Sequence, residues 1–233
     1  FLKKDLMMLD LLAHFNWERP IYFAITTGKS AYLGLHEYFQ IEGLTYRLVP
    51  FKGRSADGQD GYVNTDVMYD NLMNKFQYGN LPAEGVYAND DIRRMVMNFR
   101  NNFSRLAAAL HAKGETERAR EVLTRCLEVF PNENVPFNYF MVPVVEMLYR
   151  TDMDEKAIEI TQVMYDEMKR EMDYYLELDK EYYTEYMQNA RQALSVIYQL
   201  QTLAKANVPD HEITKSLTDD LGAYEPQLRA KGI

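Results

Sequence analysis

Carboxylates and tyrosines crowd together in Tyr165–Met187 (YDEMKREMDYYLELDKEYYTEYM), and sugar chemistry is what that mixture could support. Aromatic rings stack on sugar faces and carboxylates accept hydroxyl hydrogen bonds, so a carbohydrate-binding or sugar-processing surface can be built from these residue types. Glycoside hydrolysis needs two carboxylates roughly 5–10 Å apart across a cleft. Asp173 with Glu177, and Glu181 with Glu185, are instead i,i+4 neighbours on one helix surface. That spacing is expected of a solvated acidic face whose tyrosines pack between helices. His14, His36, His111 and His211 lack the H-x-x-x-H or H-E-x-x-H spacing of a zinc site. Asp57-Gly58-Gln59-Asp60-Gly61 has the composition of a calcium loop but neither its D-x-[DN]-x-[DN]-G spacing nor its closing Glu, and reads as a polar turn. Ser30, Ser104, Ser195 and Ser216 lack a G-x-S-x-G context. Gly28-Lys29-Ser30 ends like a phosphate-binding loop, yet Phe23 stands where its first Gly belongs. The single Cys, Cys126, falls on the apolar face of a predicted helix, where a buried, unreactive thiol is expected. No catalytic residue, metal ligand or cofactor is therefore assigned to this chain.

Composition narrows the classes further. A net charge of −9 disfavours nucleic acid, which calls for a clustered basic patch. No apolar run approaches the roughly 20 residues of a membrane span, and Leu6–Phe15 is too short. The first residue is Phe1 rather than Met, so a segment of a longer protein is expected. The 18 Tyr and 13 Met suit helix packing and amphipathic surfaces.

The elements that must position these residues fall into two compositional regions, 1–87 and 88–233. Phe1–Phe15 is predicted as an amphipathic helix with Leu2, Leu6, Leu9, Leu12 and Ala13 on its apolar side. Two short strands are expected at Pro20–Thr27 and Gly43–Pro50 from their β-branched, aromatic and alternating character. Ala31–Phe39 reads as a short helix or irregular, and Gly53–Gly61 as an exposed polar loop. Asn64-Thr65-Asp66 can cap a helix over Val67–Phe76. From Asn89 onward the pattern is helical: through His111 or Ala112, then Thr116–Phe130, Tyr139–Arg150, Asp154–Asp173, Tyr182–Ala206 and Asp210–Lys231. Pro143 either delays or kinks its helix, and Gly222 and Pro226 weaken the last one.

Residues 100–131 carry Phe103, Leu106, Ala107 and Leu110, then Gly114, then Ala119, Leu123 and Cys126, and finally Pro131. Small residues at 107 and 119 let two antiparallel helices approach, and Gly114 breaks the chain between them. The spacing resembles a tetratricopeptide (TPR) repeat, and Ala157 follows Ala119 by 38 residues, near the repeat's period. The expected fold is mainly α: a TPR-like helix-pair solenoid of about three pairs, preceded by a small mixed α/β segment with two short strands. Carrying the TPR register across, the groove positions are Asn101, Ser104, Arg105, Ala108 and His111 in the first pair. In the second they are Tyr139, Val142, Glu146, Tyr149 and Arg150. Such a groove implies a protein or peptide partner, or is filled by this chain's own N-terminal half or termini. The Lys/Asn clamp for acidic tails is not reproduced, since Ser104, Ala108 and Val142 stand at its positions and Glu146 repels such a tail.

Asn16-Trp17-Glu18-Arg19-Pro20-Ile21-Tyr22-Phe23-Ala24 resembles the NW-x-RPIYFA signature of a family of Bacteroidetes membrane proteins, DUF2723. Tyr32-Leu33-Gly34-Leu35 with Tyr38, Glu42–Pro50, and Tyr69–Met73 through Phe76, Tyr78, Gly79 and Asn80 extend the likeness. Those proteins resemble multi-spanning glycosyltransferases related to protein O-mannosyltransferases. The resemblance implies a periplasmic or other extracytoplasmic C-terminal domain following a membrane-embedded catalytic part. It implies a non-catalytic accessory role, with the membrane domain of its own chain as a second possible partner. No catalytic residue carries over, because the acidic residue expected for catalysis belongs to the membrane part.

Overall fold

The computed structural model describes residues 2–178 and 180–231, the side chains of 180–185 and 230–231 excepted. The fold is mainly helical, with eight α-helices and a small N-terminal sheet among the described residues. The chain divides into two compact units, Phe1–Ala83 with Ala88–Val129, and Glu84–Tyr87 with Phe130–Ile233.

The first unit opens with α1 (Lys3–Ala13) and a sheet of four short strands, β1 (Tyr22–Ala24), β2 (Phe39–Ile41), β3 (Thr45–Leu48) and β4 (Tyr62–Val63). Their order is β1-β3-β2-β4, antiparallel except for the β2–β4 pair. The two strands expected from sequence form β1 and β3. Phe39–Ile41 and Tyr62–Val63 are too short to show an alternating pattern by themselves and take their strand form from pairing. Phe23, Tyr32, Phe39 and Leu48 make the local core, and Phe39 stacks on Tyr46 at 5.3 Å with 7° between the rings. Onto this core pack Met8 and Leu12 of α1, with Phe15 just beyond the helix end. The expected inward stripe is thereby corrected, for Leu2, Leu6 and Leu9 are exposed. The aromatic cluster accepts the face carrying Met8 and Phe15, and of the expected stripe only Leu12 joins it.

Asn64 caps α2 (Thr65–Tyr69) by accepting from the Val67 N–H at 3.3 Å. The helix then widens into a π-type turn, closed by the Phe76 N–H donating to the Asn71 carbonyl at 2.8 Å. Asn89 caps α3 (Asp90–Ala112), which pairs with α4 (Thr116–Val129). Between them lie Phe103, Leu106, Ala107 and Leu110 from α3 and Ala119, Val122, Leu123 and Cys126 from α4, all buried. The sequence places both helices within a residue of their observed ends.

The second unit holds α5 (Val142–Arg150), α6 (Asp154–Glu177), α7 (Lys180–Asn207) and α8 (Glu212–Lys231). A 3-10 turn over Tyr139–Met141 precedes α5, and Pro143 stands in its first turn. Proline belongs there, because the N–H it lacks has no partner in a helix's first turn. Pro143 thus delays the helix rather than kinking it. Helix α8 runs through Pro226, which has no N–H to give the carbonyl of Gly222 four residues back.

Candidate functional site

The groove residues of α3 meet the loop that precedes β4. Asn101 and Gln59 exchange side-chain amide hydrogen bonds at 2.9 and 3.3 Å. Arg105, buried to 4 % exposure, donates from Nε to Asp57 Oδ2 at 2.6 Å. Its Nη1 donates to the Asp60 carbonyl at 3.2 Å, and its Nη2 to Ser55 Oγ at 3.1 Å and the Gly61 carbonyl at 2.6 Å. Gly61 has φ +78°, and a Cβ there would stand 2.7 Å from the Tyr46 ring, so only glycine can present that carbonyl. Burial pushes the Asp57 carboxyl up, but hydrogen bonds from Ser55 and the Gln59 N–H, with the Arg105 guanidinium, hold it below its usual value.

Ser104 is buried and donates to the Asn101 carbonyl at 2.9 Å. His111 Nδ1 lies 3.3 Å from Thr116 Oγ1, bridging the turn from α3 to α4. The face of α3 that the register assigns to a groove is therefore covered, around Asn101 and Arg105, by the chain's own loop. The same loop was expected to be a free polar turn. Its backbone carbonyls, invisible in a side-chain pattern, supply half of what Arg105 binds.

In the second unit Tyr139, Glu146 and Arg150 are exposed, with Pro143 on the same stripe. Glu146 and Arg150 pair at 3.3 Å, and the Tyr139 ring lies 4.4 Å from that of Phe140. Val142 and Tyr149 are buried and stand apart from this stripe. Burial raises the Tyr149 phenol, which lies against Thr161 in the core. The structure thus leaves one open, mixed-charge stripe on α5 with a tyrosine at its start.

Tyr165–Met187 is used mainly for helix packing where its side chains are described. Tyr165 Oη and Lys169 Nζ both donate to Asp220 Oδ2 of α8 at 2.6 Å. Tyr224 Oη donates to Asp173 Oδ1 at 3.1 Å. Tyr175 is buried, and Tyr174 stays exposed. The side chains of Glu181 and Glu185 lie outside the described residues.

Strand order creates one cluster that the sequence reading missed. Register aligns Tyr22, Arg47, Gln40 and Tyr62 in a single row across β1, β3, β2 and β4. Glu42 accepts from Gln40 Nε2 at 2.6 Å and Tyr22 Oη at 3.1 Å, with Arg47 Nη1 at 3.6 Å. Gln40 Oε1 in turn accepts from Tyr62 Oη at 2.6 Å. Burial, then the Glu42 charge, raises the Tyr22 phenol. Each of these side chains meets another across the strands, so the row works as a clasp across the sheet. Alternation in β3 was readable from sequence, but alignment across four strands needs the topology.

Among the described residues no group of His, Cys, Asp and Glu could hold a metal ion, and no helix is long and apolar enough to cross a membrane. Residues 1–67 are similar to the family described as TMEM260-associated domain 2, a match that takes in α1, the whole sheet and the start of α2. No curated protein and no solved structure matches the chain.

Proposed function

We propose that this chain is a non-catalytic accessory domain that binds or positions a protein partner or acceptor, as the extracytoplasmic C-terminal part of a membrane glycosyltransferase-like protein. The observation that carries the reading is the difference between its two groove faces. On α3 the chain's own loop occupies Asn101 and Arg105, while Tyr139 in the turn before α5 and Glu146 and Arg150 on α5 stand exposed. Tyrosine and arginine are, with tryptophan, the residues enriched where binding energy concentrates. The TPR-like spacing of the helix pairs supports an interaction role. The similarity of residues 1–67 to TMEM260-associated domain 2 overlaps the Asn16–Ala24 signature, which supports the setting.

The test is made in the full-length parent. Removing this chain while keeping the membrane part should reduce transfer to the acceptor and recovery of the partner. Tyr139→Ala with Arg150→Glu should do the same without unfolding, since both side chains are exposed. Unchanged transfer and unchanged recovery in both variants would sink the reading.

A further inference from the structure

Helix α1 has two apolar faces and only one is packed. Met8, Leu12 and Phe15 meet the sheet's aromatic core. Leu2, Leu6 and Leu9, spaced i, i+4 and i+7, point elsewhere, as do Met7 and Leu11, and all five are 45–67 % exposed. Immediately after the helix, Trp17 is the only tryptophan of the chain, and it is 51 % exposed. Its backbone is left-handed, at φ +65°, and its ring lies 4.6 Å from that of Phe15. A bulky residue held at positive φ is strained, and such strain persists only where the surroundings enforce it.

Beside this face stand Lys3, Lys4 and Arg19 with Asp5, Asp10 and Glu18. Asp5 is taken up by the Leu2 N–H at 2.8 Å, and Asp10 lies 3.6 Å from His14. Lys3 and Arg19 have no ion pair among the described residues, and Lys4 Nζ donates only to the carbonyl and hydroxyl of Ser30. Residues 1–54 hold seven Lys and Arg against five Asp and Glu, whereas the rest of the chain holds 19 against 30. The N-terminal part of the chain, which carries the exposed leucines, is thus far less acidic than the remainder.

We propose that α1 and Trp17 form an interfacial anchor that lies on an anionic lipid surface. Area argues for a lipid occupant over a second copy of the chain. An 11-residue helix is only about 16 Å long, so its outer face offers a few hundred Å², below the roughly 800 Å² per partner of a stable protein interface. A bilayer interface requires no shape complementarity. It accepts leucines at the acyl boundary, an indole at the headgroup level and lysines against anionic headgroups. The inference rests on α1 and is independent of the α5 stripe, so either can fail without the other.

The full 233-residue chain is mixed with sucrose-loaded vesicles of phosphatidylcholine, alone or with phosphatidylglycerol. Sedimentation with the anionic vesicles and a blue shift of Trp17 emission are expected, together with quenching of Trp17 by brominated acyl chains. Leu6→Glu with Leu9→Glu should abolish all three, and Lys3→Gln and Lys4→Gln should each weaken partitioning about fivefold. The wild-type quenching keeps the test decisive if a variant unfolds. Absence of that quenching, equal binding to both vesicle types, or a lipid-free blue shift that grows with protein concentration would each overturn the proposal, the last in favour of self-association.

Discussion

Gly114 and Asp152 occupy the same place in two equivalent turns, 38 residues apart, with φ of +83° and +56°. After α3 the Gly114 N–H donates to the His111 carbonyl at 2.9 Å and the Glu115 N–H to the Leu110 carbonyl at 3.0 Å. After α5 the Asp152 N–H donates to the Tyr149 carbonyl at 3.1 Å and the Met153 N–H to the Leu148 carbonyl at 2.9 Å. Both are Schellman caps, and both launch the second helix of a pair.

The two positions should respond to substitution with opposite sign. Gly114→Ala places a Cβ in open space, so its cost is the left-handed backbone alone, about 1 kcal/mol. Asp152→Gly removes that strain and should gain up to about 1 kcal/mol, reduced by the entropy glycine adds to the unfolded chain. Chemical denaturation of the two variants beside wild type reads both signs. Equal losses in both would mean that the caps are not equivalent.

The Asp57–Arg105 contact should make stability depend on acid. The Arg105 side chain is 2 % exposed and that of Asp57 31 %, so the pair is largely shielded. Asp57→Asn should cost about 2 kcal/mol at neutral pH, because the buried guanidinium keeps its carbonyl partners but loses its counter-charge. The Asp57 carboxyl is held below its ordinary value in the folded state. Its contribution is therefore complete above about pH 4 and lost as pH falls further, through the depressed folded value. Melting curves between neutral pH and strong acid should show wild type converging on Asp57→Asn. A gap that stays constant would remove the charge from the explanation.

The same two residues show what was legible in the sequence. Arg105 was identifiable as a groove position, because helical spacing fixes which residues share a face of α3. Its partners were not, because Asp60 and Gly61 bind through carbonyls that every residue possesses. Cap residues Asn64 and Asn89 were readable, since their chemistry is local. The pairing of Tyr22 with Arg47, and of Gln40 with Tyr62, depends on strand order, which no short-range pattern encodes. In α1 both faces are apolar, so periodicity identified a helix but picked the side of Leu6 where the sheet takes that of Met8.

Cys126 should report on global opening of the first unit. The thiol is buried on α4, and burial pushes its pKa up to about 12, partly countered by Arg100. Thiolate is the reactive form, so a disulfide reagent at neutral pH should label Cys126 only when the α3–α4 pair opens. The labelling rate should match the unfolding rate and increase with denaturant. Rapid stoichiometric labelling of the native chain would show that α3 and α4 do not close over the sulfur.

In the second unit, Tyr165 should give a pH dependence of opposite direction to that of Asp57. Burial, then the hydrogen bond to Asp220 and its charge, push the phenol up to about 12, while Lys169 opposes the shift. A phenol raised in the folded state contributes stability that is complete below its unfolded value near 10 and is lost as pH climbs toward the folded value. Wild type should therefore exceed Tyr165→Phe in stability at neutral pH, and the gap should close above about pH 10. Carbon NMR at the tyrosine Cζ should place the Tyr165 transition well above the ordinary tyrosine value near 10, and Asp220→Asn should bring it down. If Tyr165 titrates at the ordinary tyrosine value near 10 in the wild type, the clip between α6 and α8 through Asp220 does not exist in solution.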